Sequence, residues 1–142
     1  MFDEVTAPAP GNISEIRRPT SPNTFLAGPL GFTPTPDLQT RRFDMAPDRL
    51  LAVMQGVIMA QPRVTALADD PGHRRGDYVV RSRVFGFPDI VLAQALPAGD
   101  GQSDLVLYSY SLKGHYDFGV NRARVKGLLT ALDGALARSK PF

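Results

Sequence analysis

The residue types best able to do chemistry gather in one stretch, His115-Tyr116-Asp117-Phe118-Gly119-Val120-Asn121-Arg122-Ala123-Arg124-Val125. Asp117 and Asn121 both suit the start of a helix, where a side-chain oxygen accepts hydrogen bonds from free backbone amides. Arg122 and Arg124 then fall in the first turn, where each cation opposes the helix dipole at a cost of roughly a few tenths of a kcal/mol. Two readings account for arginines placed this way. In the first, Asp117 and nearby carboxylates pair with them and the loop is a structural clasp. In the second, backbone N–H groups and Arg122 or Arg124 meet a phosphate, sulfate or carboxylate at the helix start. The candidate ligand-binding residues are therefore His115, Asp117, Asn121, Arg122 and Arg124.

Catalysis would need a nucleophile with a base in reach. Ser109 or Ser111 with His115 and Asp117 supplies the residue types. No Gly-x-Ser-x-Gly elbow accompanies them, and a serine in mid-strand is ordinarily a packing residue. A non-enzymatic binding or interaction domain is thus the first reading, with no catalytic residue assigned. A small hydrolase or lyase using His115 and Asp117 is the alternative. No metal site is expected, because the only two histidines, His73 and His115, lie on separate segments and there are no cysteines. No cofactor is expected either. Gly99-Asp100-Gly101 reads as a hairpin turn rather than a phosphate loop, since neither a lysine nor a helix start follows it.

These residues sit in a chain of 142 residues, of which 43% are hydrophobic, enough for one domain with a real core. Charged residues make up 21%, which excludes a charge-rich disordered chain. The surplus of 16 Lys and Arg over 14 Asp and Glu is only +2, too small a field for a nucleic-acid protein. Arg81 and Arg83 share a strand face and, with Tyr108 and Tyr110, would make either a basic and aromatic surface or a row of solvated arginines. No run approaches the roughly 20 apolar residues of a membrane span. Asp3 and Glu4 with no apolar core exclude a signal peptide. Membrane association would then require a segment outside this chain, and either a cytoplasmic or an envelope-associated location is open. The partner is an unidentified ligand or protein.

The elements that must position the stretch follow from periodicity. Seven of the 13 prolines precede Gln39, which argues against a long helix or central strand there. Residues 1–36 read as a proline-rich tail and packing arm, the first ~15 residues as a flexible tail, and residues 37–142 as a single α+β domain. Arg41–Met45 is a short strand. Leu50, Val53, Met54, Val57 and Ile58 mark one face of a helix over Pro47–Gln61. Strands follow at Arg63–Ala68, Tyr78–Phe87, Ile90–Leu96 and Leu105–Lys113, the last three too closely connected for anything but an antiparallel meander. Val125, Leu128, Leu129, Leu132 and Leu136 mark a second helix from Asn121 to about Arg138. The expected fold is α+β, an antiparallel sheet of about five strands with two helices on one face, in the order β-α-β-β-β-β-α, compatible with a helix-grip or a TATA-binding-protein-like arrangement. Ile90, Val91, Leu92, Ala93, Ala95 and Leu96 are apolar on both faces of their strand. The face without helices therefore needs cover from Phe25–Phe32 or from a second copy in a homo-oligomer.

Four stretches resemble one known family. Leu107-Tyr108-Ser109 through Gly114, followed by Asp117-Phe118-Gly119-Val120-Asn121-Arg122-Ala123-Arg124-Val125, is similar to the signature of the DUF1499 family, a bacterial and plant family of unknown function. Pro19-Thr20-Ser21-Pro22-Asn23, Gln61-Pro62-Arg63-Val64 and Phe85-Gly86-Phe87-Pro88-Asp89 also resemble its motifs. The resemblance spans about Arg17 to Leu136. It assigns no reaction, and implies an envelope setting for many members. Many members also carry cysteine after the opening motif, where this chain has Thr24 and Ala27. Many carry acids after the Phe-x-Asp element, where this chain has Ile90, Val91 and Leu92.

Overall fold

Strands β4 (Arg75–Arg81), β5 (Pro88–Pro97) and β6 (Ser103–Ser111) form the antiparallel meander that their short connections require. A computed structural model describes residues 5–114 and 117–139. Among these, β3 (Val64–Asp70) pairs antiparallel with β4 at one edge, while β1 (Thr24–Gly28) pairs antiparallel with β6 on the other side. Outside β1 lies β2 (Leu38–Gln39), parallel to it, so the sheet is mixed, with the order β2-β1-β6-β5-β4-β3. Helix α1 (Pro47–Met59) precedes β3, and α2 (Val120–Ser139) closes the described chain. The fold is α+β with both helices on one face, as expected, and with six strands instead of about five.

The extra strand is a correction. Proline density argues against a central strand before Gln39, yet β1 lies between β2 and β6. Its five residues fit between Pro22 and Pro29, so none of its ladder amides is lost. The strand expected at Arg41–Met45 reduces to a single bridge, in which Phe43 and Ser103 exchange backbone hydrogen bonds at 2.9 and 3.0 Å.

Period-two alternation divides β5 and β6 between two cores. Val91, Ala93, Ala95, Leu105 and Leu107 face the helices and pack with Leu50, Met54, Ile58, Val125, Leu128 and Leu132. Ile90, Leu92, Val106 and Tyr108 face the other way, and there Val5, Ile13, Ile16 and Phe32 cover them. The flexible tail expected for the first residues is therefore corrected from Val5 onward. Ile13 is fully buried, and backbone groups nearby are held by β-sheet side chains. Gln94 Oε1 accepts from the Ile13 amide at 2.9 Å, and Arg75 Nη1 donates to the Gly11 carbonyl at 3.0 Å. Arg75 and Asp77 form a two-pronged buried ion pair beneath this arm, at 2.8 and 3.1 Å. Burial pushes the Asp77 carboxyl up, against the opposing pull of Arg75.

Candidate functional site

The β6–α2 connection is built to start a helix abruptly. Gly119, at φ +80°, takes a conformation that suits glycine. One oxygen of Asp117 accepts from the Gly119 amide at 2.8 Å, the other from the Asn121 amide at 3.1 Å, and its carbonyl accepts from the Val120 amide at 3.0 Å. Asp117 thus serves the unpartnered amides of the first turn. Partial burial works against the ionised carboxyl, but the hydrogen bonds from the Asn121 side chain and the two amides prevail and hold its pKa below the usual value.

Asn121, expected as the helix cap, has a different role. It lies inside the first turn of α2, fully buried. Its Oδ1 accepts from the Ser109 hydroxyl at 2.6 Å and from Arg124 Nη1 at 2.8 Å. Its Nδ2 donates to the Asn23 carbonyl at 3.0 Å, Ser111 Oγ at 2.9 Å and Asp117 Oδ2 at 2.7 Å. Asn23 in turn donates from Nδ2 to the Gly114 carbonyl at 2.7 Å. Arg124 completes the network by pairing with Asp89 at 2.9 Å, both side chains largely buried. Among the described residues no buried side-chain polar atom lacks a partner, so this hub is self-satisfied.

The two arginines of the first turn part company. Arg122 is exposed and lines a groove of about 430 Å³ with Asp37, Asp117 and Lys126. Arg124 lines a larger cleft of about 490 Å³ on the other side of α2. That cleft lies between the end of α1 and the first half of α2, above β3, β4 and the start of β5. Ile58, Val64, Val80, Val91 and Leu128 give it an apolar floor, and Arg63, Arg81, Arg83 and Arg124 line it. The one carboxylate among its lining residues is Asp89, which Arg124 already holds. Ala123, Gly127 and Ala131 form the helix wall, and a side chain grown from Gly127 meets nothing within 4 Å. The cleft is open because these three residues are small.

His115 lies outside the described residues. Asp117, Asn121 and Arg124 are brought together by hydrogen bonds through Asn121, while Arg122 shares only the outer groove with Asp117. Ser109 is fully buried, and its hydroxyl proton goes to Asn121 rather than to a base. Tyr108 and Tyr110 pack in the arm-side core, their rings 5.0 Å apart, so they do not form a surface with Arg81 and Arg83. Burial pushes the Tyr110 phenol up to about 12. Sequence reasoning did not assign Asn23, Asp89 or Arg63 to the site. Their only signal was that each belongs to a stretch that resembled the same family, and those stretches converge here. Among the described residues no group of three His, Asp or Glu side chains could hold a metal ion, and no helix is long and apolar enough to cross a membrane.

A sheet with two helices on one face and a cleft beside the second helix defines a compact α+β domain. The chain belongs to the DUF1499 family of proteins of unknown function, whose family pattern matches residues 16–132. No curated protein matches it. Its fold is similar to that of protein MLL2253 from Mesorhizobium loti, at 12% identity and a TM-score of 0.54, over 83% of this chain and 99% of that one. A second solved structure, TTHA0849 from Thermus thermophilus, aligns at 14% identity over 82% of this chain and 99% of that one, with a TM-score of 0.39.

Proposed function

We propose that this chain is a non-enzymatic binding domain whose ligand is a small anionic amphiphile held in the cleft between α1 and α2. The observation that carries this reading is the composition of the cleft. Arg63, Arg83, Arg81 with its guanidinium bound to the Gly86 carbonyl, and Arg124 with its partner Asp89 line the cleft around an apolar floor, in a volume of about 490 Å³. Binding sites for small molecules combine an apolar lining with a few polar groups that fix orientation. Arginine is suited to a carboxylate or phosphate because its planar fork donates two parallel hydrogen bonds. The β6–α2 loop is then the frame of the site. Asp117 and Asn121 hold the start of α2, and Arg124 presents the helix's cation to the cleft. Asp117 is a poor general base, since both carboxylate oxygens accept hydrogen bonds and its pKa is lowered.

The test is thermal melting with octanoate, octanol and acetate at fixed ionic strength. Octanoate should raise the melting temperature more than either partial mimic, because it alone supplies both an apolar chain and a carboxylate. Gly127→Leu extends a side chain into the cleft from its open wall, where an added Cβ meets nothing within 4 Å. It should melt higher than wild type by itself, leucine being the better helix former by roughly 1 kcal/mol, and should lose the octanoate response. An equal octanoate shift in both proteins, or none in wild type, rejects the cleft as the site.

A further inference from the structure

We infer that the end of the molecule carrying the β4–β5 hairpin and the β6–α2 loop docks on the surface of an anionic lipid bilayer. The inference goes beyond the cleft reading, because its exposed apolar side chains, apart from Val120, lie outside the cleft lining. Among the described residues, the exposed large hydrophobic side chains are Leu30, Met59, Val84, Phe85, Phe87, Leu112, Phe118 and Val120. All but Leu30 lie at one end. The strand registers establish this. Arg81 pairs with Pro88, so residues 82–87 form the hairpin tip. The Leu112 amide donates to the Pro88 carbonyl at 3.3 Å, which puts the exit of β6 beside that hairpin. Val64 pairs with Val80, which brings the turn after Met59 to the same end. Val120 lines the cleft together with Ser82 and Arg83.

The apolar side chains sit in a basic field. The segments forming this end, residues 59–64, 81–89, 111–114 and 117–124, carry Arg63, Arg81, Arg83, Lys113, Arg122 and Arg124. Against these six stand two carboxylates, Asp89 and Asp117, a surplus of four where the whole chain has a net charge of +2. The charge of this protein is therefore polarised toward the end that exposes its aromatic rings. That combination matches a surface with anionic headgroups over an apolar layer.

Shape favours a bilayer over an acidic protein. Phe118 is 96% exposed, Val84 79% and Phe85 73%, on two separate loops. Phe85 and Phe87 stack on each other with centroids 5.3 Å apart at the hairpin tip. A rigid partner would need a matching socket for each loop, whereas the soft boundary between headgroups and acyl chains accepts such projections without one. Phe118 also holds φ +53°, a conformation that asparagine or glycine adopts more readily. Neither packing nor local geometry explains a phenylalanine there, and insertion of the ring does.

Co-sedimentation with phosphatidylcholine vesicles, with and without phosphatidylglycerol, tests the inference. Binding should require phosphatidylglycerol and weaken as salt is added. Phe85→Ser with Phe118→Ser should reduce the partition coefficient about tenfold or more, given the transfer free energy of an aromatic ring. Arg83→Glu should weaken binding to the anionic vesicles. All substituted residues are exposed, and unchanged melting temperatures would show that folding is intact. Gly127→Leu separates this surface from the cleft, since it should lose the octanoate response and keep vesicle binding. Absence of binding to anionic vesicles, or equal binding by the double variant, overturns the inference. Self-association without vesicles that the double variant abolishes would reassign the surface to a second copy of the chain and likewise overturn it.

Discussion

Asn121 serves five partners from one buried side chain, and its neighbours depend on it more than it depends on them. Replacing it by alanine removes one hydrogen bond each from Ser109, Arg124 and the Asn23 carbonyl, leaving the Arg124–Ser109 and Arg124–Asp89 contacts and the Ser111 amide to hold them, and opens a gap in a buried polar network. Asn121→Ala should therefore cost about 3 kcal/mol in denaturant unfolding, well above the value of about 1 kcal/mol for losing an exposed helix cap. Asp117 carries that smaller cap contribution, and its pH dependence has a definite sign. A carboxyl with a lowered folded pKa stabilises the fold above its unfolded pKa and loses that contribution as pH falls through the folded value. Asp117→Ala should cost about 1 kcal/mol at neutral pH, and its deficit against wild type should shrink as pH falls below about 4. Urea unfolding of the two proteins across that range checks the slope. The candidate residues Asp117, Asn121 and Arg124 were legible in the sequence because polar and basic residues crowd a helix start. Their roles were not, because Asn121's partners Asn23 and Ser109 are 98 and 12 residues away from it along the chain.

Among the elements, both helices and the meander could be read from the letters, since apolar spacing and short connections are local signals. Strand β1 could not. Proline density in the first 39 residues suppressed it, and its partners β6 and β2 are non-local. The same blindness hid the arm's attachment. Ile13 looks like one apolar residue in a tail until Gln94 and Arg75 are placed beneath the neighbouring backbone. Deleting residues 1–16 would expose Ile90, Leu92 and Val106 and strand the Arg75–Asp77 pair without the Gly11 carbonyl. The shortened chain should melt several degrees lower or aggregate on heating. A shortened chain that stays monodisperse with the wild-type melting temperature would show that the arm contributes nothing to the second core.

At the scale of the whole molecule, one end concentrates the cleft, its arginines and the exposed aromatic rings. The four family-like stretches meet at that end, through Asn23, Arg63, Asp89, Asn121 and Arg124. An anionic amphiphile drawn from a bilayer would meet both features in sequence, first the basic apolar surface and then the cleft. The central claim is that the cleft beside α2 is the binding site, and it is tested most directly by following backbone amide resonances during an octanoate titration. The account predicts saturable shifts at Val80, Val91, Ala123, Gly127 and Ala131, which line the cleft, with none at Phe25, Leu38 and Lys126, which line the groove beside Arg122. Shifts confined to that second groove, or no saturable shift at all, would contradict it.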